Sequence, residues 1–198
     1  MRFCCECGGA LEQRVPDGDD RTRHVCRACG RVHYRNPQVV VGCLVERGDH
    51  VLLCRRAIEP GRGRWTIPAG YLELGEGMLQ GARRETREEA GAAVEIVAPH
   101  CYLDLPHIGQ THAVFRARAT TAPHAGHESL EVAFFAWGAL PWTELAFPAV
   151  HFALHLRQQD RAAVTPHLHT AQLQWDGNGS RFDAANYRLV EHLRQPLA

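Results

Sequence analysis

Polar stretches and apolar runs succeed one another along the chain, and the period of the apolar positions changes as they do. Residues 1 to 35 are polar and cysteine-bearing, with too few large apolar side chains to build a core. A segment of that kind needs a staple. From "NPQVVVGCLVERGDHVLLCRR" the texture becomes β-branched, and "ERGDH" carries turn chemistry, predicting a hairpin that enters a sheet. "RWTIPAGYLELGEG", with its glycines and proline, reads as a long loop. Leu79, Ala82, Thr86 and Ala90 then recur at helical spacing and stop at Gly91, predicting a helix over 78–90 with a glycine cap. Gly81 and Ala82 lie beside its acidic face, leaving room there for a bulky group. "AAVEIVA", "CYLDL", "THAVFRARA" and "VAFFAWGAL" read as further strands, and "APHAGHE" (122–128) as a loop. Beyond Pro148, "AVHFALHLRQQ" and "AANYRLVEHLRQ" read as two amphipathic helices, the second after a "DGNGS" turn. The expected organisation is a small domain over 1–35, a main domain over 36–147, and a helical extension over 148–198 packed on the main domain.

Composition narrows the function classes. The 198 residues are 45% hydrophobic and 22% charged, which are globular values. All 22 basic residues are arginine and are matched by 22 acidic ones. Zero net charge argues against a general nucleic-acid or membrane-surface binder. The longest apolar run, around "VVVGCLV", is far below the roughly 18 residues that span a bilayer. "MRFCCECGGA" lacks the apolar segment of an export signal, so a cytoplasmic setting with reduced thiols is expected.

Cys4-x2-Cys7 and Cys26-x2-Cys29 stand eighteen residues apart, the spacing of a four-thiolate zinc ribbon. Glycines follow both pairs, as knuckle turns around a metal require. Four cysteines leave no open coordination position, so such a site is structural. Cys5 is a spare neighbour, and Cys43, Cys54 and Cys101 fall in strand-like runs as small core residues. Arg21, Arg23, Arg27, Arg31 and Arg35 surround the pairs, but the acidic "DGDD" interrupts any basic face.

Glu85, Glu88 and Glu89 share one face of the predicted helix. Two carboxylates about 6 Å apart repel by roughly 0.7 kcal/mol in water and roughly 3 kcal/mol at an effective dielectric near 20. One reading is a solvated helix with pairs such as Arg84–Glu88. The wider pattern points elsewhere. Gly70 is followed after five residues by Glu76, after seven more by Arg84-Glu85, then by Glu88-Glu89 and Gly91. This resembles the Nudix box, with Thr86 and Ala92 departing from its two bulky aliphatic positions. The resemblance implies an α+β Nudix fold, a mixed sheet sandwiched between helices, behind the small zinc ribbon. It also implies a divalent-metal-dependent hydrolase acting on a pyrophosphate bond. Magnesium or manganese suits a face of hard oxygen ligands. By that resemblance Glu85 and Glu89 bind the metal with the backbone carbonyl of Ala69, and Glu88 binds it or acts through water. Arg84 pairs with Glu76 to lock the loop onto the helix. The base comes from outside the box, where "HESLEVAFF" offers Glu128 and Glu131 ahead of a strand; Glu128 is favoured, as ligand or base.

The flanking stretches sharpen the expectation. "NPQVVVG", "RRAIEPGRGRWTIPAGYLELGE" and "LDLPHIGQTH" are similar to the FAD and ADP-ribose pyrophosphatase group, from the ribbon to about residue 147. Pro106, fifteen positions after Gly91, has a spacing also associated with ADP-ribose hydrolysis. The alternative group, NADH pyrophosphatases and NAD-cap hydrolases, carries an S-Q-P-W-P-F-P-x-S segment that is absent here. Trp65, Tyr71 and Tyr102 are candidates to stack on a base, Arg55 or Arg64 to meet phosphate, and His107 and His112 to line the mouth. Expected products are AMP with FMN or ribose 5-phosphate, expected partners a small dinucleotide substrate and a second copy of the chain. A non-catalytic nucleotide-sensing regulator is the rival of another class; such modules lose box glutamates and gain a DNA-binding domain, whereas this chain keeps every glutamate.

Overall fold

The computed structural model describes residues 1–197 and divides into two compact units, Met1–Asn36 and Pro37–Ala198. The first unit is a three-stranded antiparallel sheet: β1 (Leu11–Arg14), β2 (Arg23–Cys26) and β3 (Val32–His33), in that order. Its buried set is only Cys4, Val25, Cys26 and His33. Arg21, Arg23, Arg27 and Arg31 each face a carboxylate, of Asp20, Asp19, Glu12 and Glu6 respectively. Those pairs neutralise the basic side chains around the cysteines.

The second unit is built on a nine-stranded mixed sheet. In chain order come β4 (Gln38–Arg47), β5 (His50–Arg56), β6 (Trp65–Thr66), β7 (Ala69–Tyr71), helix α1 (Met78–Ala90), β8 (Val94–Leu105), β9 (Gln110–Ala119) and β10 (Ser129–Ala136). Helix α2 (Pro148–Asp160), β11 (His167–Trp175) and β12 (Tyr187–Pro196) follow. The sheet order is β10-β5-β4-β9-β8-β11-β12, with β6 on β5 and β7 on β4. The β4–β9 and β8–β11 pairings are parallel. Strand alternation sorts the apolar run of β4 and β5 between two cores. Val41, Cys43, Val45, Leu52 and Cys54 pack with Ala82 and Ala90 of α1. Leu44, Val51 and Leu53 pack with Ala149, Val150, Ala153 and Leu154 of α2. Both faces are covered, which is why this segment reads as a continuous hydrophobic stretch.

Polar contacts to β4 and β8 help to fasten α2. Glu46 of β4 accepts from Arg116 of β9 and Arg157 of α2, each at 2.8 Å. His100 of β8, fully buried, donates from Nε2 to the Ala153 carbonyl at 2.8 Å. Burial pulls its pKa down to about 3, so the ring is neutral.

The C-terminal segment differs from its expected form. The first predicted helix is α2, opened by Pro148 at its first turn. The second, "AANYRLVEHLRQ", is instead strand β12, hydrogen-bonded antiparallel to β11. A register shift between Thr170 and Gln172 falls opposite Glu191, whose φ is 50°. This bulge adds a residue, so Val190 and Leu193 recur three apart and imitate a helix. The extension therefore widens the sheet. Among the described residues no helix is long and apolar enough to cross a membrane, and α2 is the only α-helix after residue 147.

Candidate active site

Helix α1 ends where the sequence places it, with Gly91 at φ 60° donating back to the Arg87 carbonyl. Its buried side is Gly81, Ala82, Thr86, Glu89 and Ala90. Leu79, expected on this stripe, is 44% exposed. Thr86 keeps its hydroxyl satisfied inside the core by donating to the Ala82 carbonyl at 2.7 Å, so a polar residue is tolerated at an aliphatic box position. The space beside Gly81 is not open. A Cβ there would meet Glu76 Oε1 at 2.8 Å and Val41 Cγ2 at 2.9 Å, because α1 lies directly against β4 and the preceding loop.

That loop is pinned by one arginine. Arg84 meets Glu76 through Nε and Nη2, at 3.1 and 2.8 Å, and donates to the Tyr71 carbonyl at 3.0 Å. The same guanidinium reaches Glu85 at 2.7 Å and Glu88 at 3.0 Å. It therefore spaces two carboxylates as well as locking the loop. Gly70 matters for a different reason: a Cβ on it would stand 2.5 Å from the Glu85 carboxylate and push that carboxylate out of its place beside strand β7.

Glu89 is the buried member, 5% exposed, and its Oε2 accepts from the Ala69 amide at 2.9 Å. Burial pushes its pKa up to about 7, with the Glu85 and Glu128 charges adding to the effect and the Ala69 amide opposing it. Burial also raises Glu85, against the pull of Arg84. Opposite the helix, the 122–128 loop closes onto the last turn of α1. The amides of His124 and Gly126 donate to the carbonyls of Ala90 and Glu89, at 2.9 and 3.1 Å. A Cβ on Gly126 would fall 1.7 Å from the Glu88 carbonyl oxygen, so this contact needs glycine. Two residues on, the Glu128 carbonyl accepts from the Ala57 amide at 2.8 Å.

The result is a cleft of about 720 Å³. Glu59, Glu73, Glu85, Glu88, Glu89 and Glu128 line it against two cations, Arg56 and Arg84. Of the expected substrate contacts, Tyr71 stands here, 47% exposed, with its hydroxyl accepting from Gln110 Nε2 at 2.9 Å. His112 also lines the cleft, whereas Trp65 and Arg55 are corrected. Trp65 is 7% exposed and packs edge-on to Phe135 at 4.8 Å, inside the α2-side core. Arg55 lies outside the cleft, bonded to the Gly63 carbonyl and 3.7 Å from Glu131. Strand alternation sends its neighbour Arg56 inward instead, onto the Pro60 carbonyl at 2.8 Å and over the Phe147 ring at 5.0 Å. Arg56, Gln110, His127 and Phe147 are cleft residues that the sequence reading missed; for Arg56 the parity of β5 was the available signal.

In the ribbon, Cys4, Cys7, Cys26 and Cys29 bring their sulfurs within 4.8 Å of one another. The Cys4–Cys29 and Cys7–Cys26 separations are 3.9 and 3.5 Å. Four Zn–S bonds of about 2.3 Å in a tetrahedron put sulfurs roughly 3.8 Å apart, so the set fits zinc. Gly8 and Gly30, at φ 72° and 73°, form the knuckles and donate to the carbonyls of Cys4 and Cys26. The amides of Cys29 and Ala28 draw the Cys26 thiol down to about 6, and His33 Nε2 lies 3.3 Å from Cys4 Sγ. Cys5 stays exposed, while Cys43, Cys54 and Cys101 are buried in the main unit.

Comparison with known proteins accords with this geometry. The family model described as "NUDIX domain" matches residues 36–156, and that described as "Nudix N-terminal", a zinc ribbon, matches residues 2–35. The human 8-oxo-dGDP phosphatase NUDT18 is 35% identical over 133 residues, covering 62% of this chain and 40% of that protein. The NAD-capped RNA hydrolase NudC of Stutzerimonas stutzeri is 39% identical over 95 residues, covering 47% and 32%. The chain thus spans well under half the length of these curated relatives. A crystal structure of a NUDIX hydrolase from Nitrosomonas europaea superposes with a TM-score of 0.82 at 44% identity, covering 87% of this chain and 99% of that one. An ADP-ribose pyrophosphatase from Streptococcus suis superposes at 0.56 with 20% identity, over 67% and 98%, a likeness of fold alone. With more than half its length inside one family model and the box residues gathered around an acidic cleft, the chain belongs to the Nudix hydrolase family.

Proposed function

We propose that the cleft hydrolyses the pyrophosphate link of a nucleoside-diphosphate-linked substrate with the help of divalent cations. One observation carries this reading: six carboxylates against two guanidiniums line the cleft, and the most buried of them, Glu89, is held near its point of ionisation. A phosphate-bearing ligand meets repulsion there unless hard cations stand between it and the glutamates. The donor set is all oxygen, which suits magnesium or manganese. Such a cation neutralises phosphate charge, polarises the phosphorus centre and lowers the pKa of a bound water.

The chain's own groups take the remaining roles. Glu85 and Glu89, with Glu88 at the rim, hold the cation; Ala69 orients Glu89 through its amide. Arg84 keeps Glu85 and Glu88 apart. Glu128, fixed on the loop that caps α1, takes the proton of the attacking water. Arg56 takes the phosphate-facing role expected of Arg55 or Arg64, and Tyr71 keeps its own substrate-facing place beside the glutamates. In the ribbon the four thiolates hold a structural zinc.

The substrate has two readings. The motif stretches around "LDLPHIGQTH" favour FAD or ADP-ribose. The matches to NAD-capped RNA hydrolases favour an NAD-linked substrate, NADH or an NAD cap, and have the better support among the relatives. Hydrolysis of FAD, ADP-ribose and NADH with magnesium or manganese, followed by product mass, tests both. The expected result is AMP plus the other phosphate half, with Glu89→Gln lowering kcat by at least about 10³-fold in a folded protein. NADH cleaved faster than FAD selects the NAD-linked reading. No cleavage of any of the three would overturn the proposal.

A further inference from the structure

The acidic cleft continues past Phe147 into a second concavity of about 280 Å³, which shares Pro60, Gln110, His112 and Phe147 with it. The chemistry changes at that boundary. Among the described residues no carboxylate lines the second bay. Its walls are Ile108 and His107 from the β8–β9 turn, Arg181 and Phe182 from the connection between β11 and β12, and Tyr187 at the start of β12. Ile108 and Phe182 are 42% and 46% exposed, two large apolar side chains held in the open.

The bay is fixed from behind. Tyr187 donates its hydroxyl proton to the Arg181 carbonyl at 3.0 Å, and its oxygen accepts from His107 Nε2 at 3.0 Å. The Arg181 guanidinium lies over the Trp175 ring at 4.7 Å. Partial burial and the Arg181 charge lower the His107 pKa, so the ring serves as a neutral donor. Arg181, Phe182 and Tyr187 all lie beyond residues 36–156, the stretch matched by the family model.

We propose that this bay receives the nucleobase of the substrate, the adenine ring, while the pyrophosphate lies over the glutamates; this rests on the function proposed above. A volume just under the roughly 300 Å³ at which whole-ligand pockets begin suits one planar ring system rather than an entire dinucleotide. Apolar faces on Phe147, Ile108 and Phe182 offer stacking and burial to such a ring, and the Gln110 amide at the shared rim offers hydrogen bonds. Continuity across Phe147 and Pro60 lets one ligand span both chemistries. The C-terminal hairpin is then the element that sets which end of the substrate is gripped.

Steady-state kinetics on Ile108→Glu and Phe182→Ala test this in the full chain, with AMP, FMN and inorganic pyrophosphate as inhibitors. KM for the best substrate rises about tenfold with kcat within about twofold, and AMP inhibition weakens by the same factor. Inhibition by pyrophosphate stays unchanged. Unchanged AMP inhibition in both variants would overturn the bay as the adenine site, and weakened FMN inhibition alone would move the adenine elsewhere. If wild type hydrolyses none of the dinucleotides, the functional reading fails, while direct calorimetric binding of AMP to wild type and to both variants still reports on the bay: equal AMP affinity in all three would overturn it.

Discussion

The cysteine knuckles and the glutamate helix both concentrate like charges, and they handle the repulsion in opposite ways. The four thiols converge within 4.8 Å, each knuckle closed by a glycine and backbone amides, and four such donors leave a zinc no open coordination position. Around α1 the carboxylates are kept apart instead. Arg84 separates Glu85 from Glu88, the Ala69 amide holds Glu89, and the whole set faces a broad cleft. A converged, saturated donor set suits a staple, and a spread, accessible one suits a cation that must also touch substrate. The difference extends to the surroundings: the ribbon buries almost no large side chains, whereas the main unit has two cores of its own.

The largest expected effect is at the closed end. Cys26→Ser loses the ribbon's zinc, and with it a folding contribution on the order of 10 kcal/mol. Hydrogen exchange then shows residues 1–36 unprotected and residues 37–197 still protected; an intact ribbon in the variant would break the comparison. At the open end, Gly126→Ala pushes the 122–128 loop off α1. It displaces Glu128, lowers kcat by about tenfold or more, and costs about 2 kcal/mol in urea unfolding. Unaltered kinetics would mean that the loop does not position Glu128.

A smaller effect belongs to neither centre. His100 has a folded pKa of about 3 against its ordinary value of 6.5. Its contribution to stability is present above pH 6.5 and is lost as pH falls toward 3, because the unfolded chain takes up the proton first. Denaturation curves at pH 7 and pH 5 should differ by about 2 kcal/mol more in wild type than in His100→Gln. Equal losses would place the acid sensitivity elsewhere. The smallest effect is Arg55→Ala. Its pair with Glu131 is exposed, so stability changes by less than about 1 kcal/mol, and KM stays put because the side chain does not reach the cleft; a raised KM would restore Arg55 as a substrate contact.

What the sequence disclosed follows the range of the forces involved. The α1 boundaries, the Gly91 cap, the Arg84–Glu76 lock and the gathering of the cysteines depend on spacing within one element or one short loop, and all are present. Placements that depend on which sheet face is the inner one, or on distant packing, were harder to read. Arg55 and Arg56 are adjacent and identical in type, and only the sheet decides which one turns inward. Trp65 offers a base-stacking ring on paper, yet Phe135 and Leu145 enclose it in the core. A single bulge at Glu191 was enough to give β12 the spacing of a helix. Phe147, which borders both the acidic cleft and the bay, meets its neighbours only after α2 docks.

Glu89 is tethered twice, its carboxylate to the Ala69 amide and its carbonyl to the Gly126 amide. Strand, helix and loop therefore share one hinge pin, and any breathing of the cleft carries Glu128 along with the box acids rather than away from them. Lengthening the chain by one residue between Thr121 and Gly126 would shear that linkage, leaving every acidic side chain present and out of step.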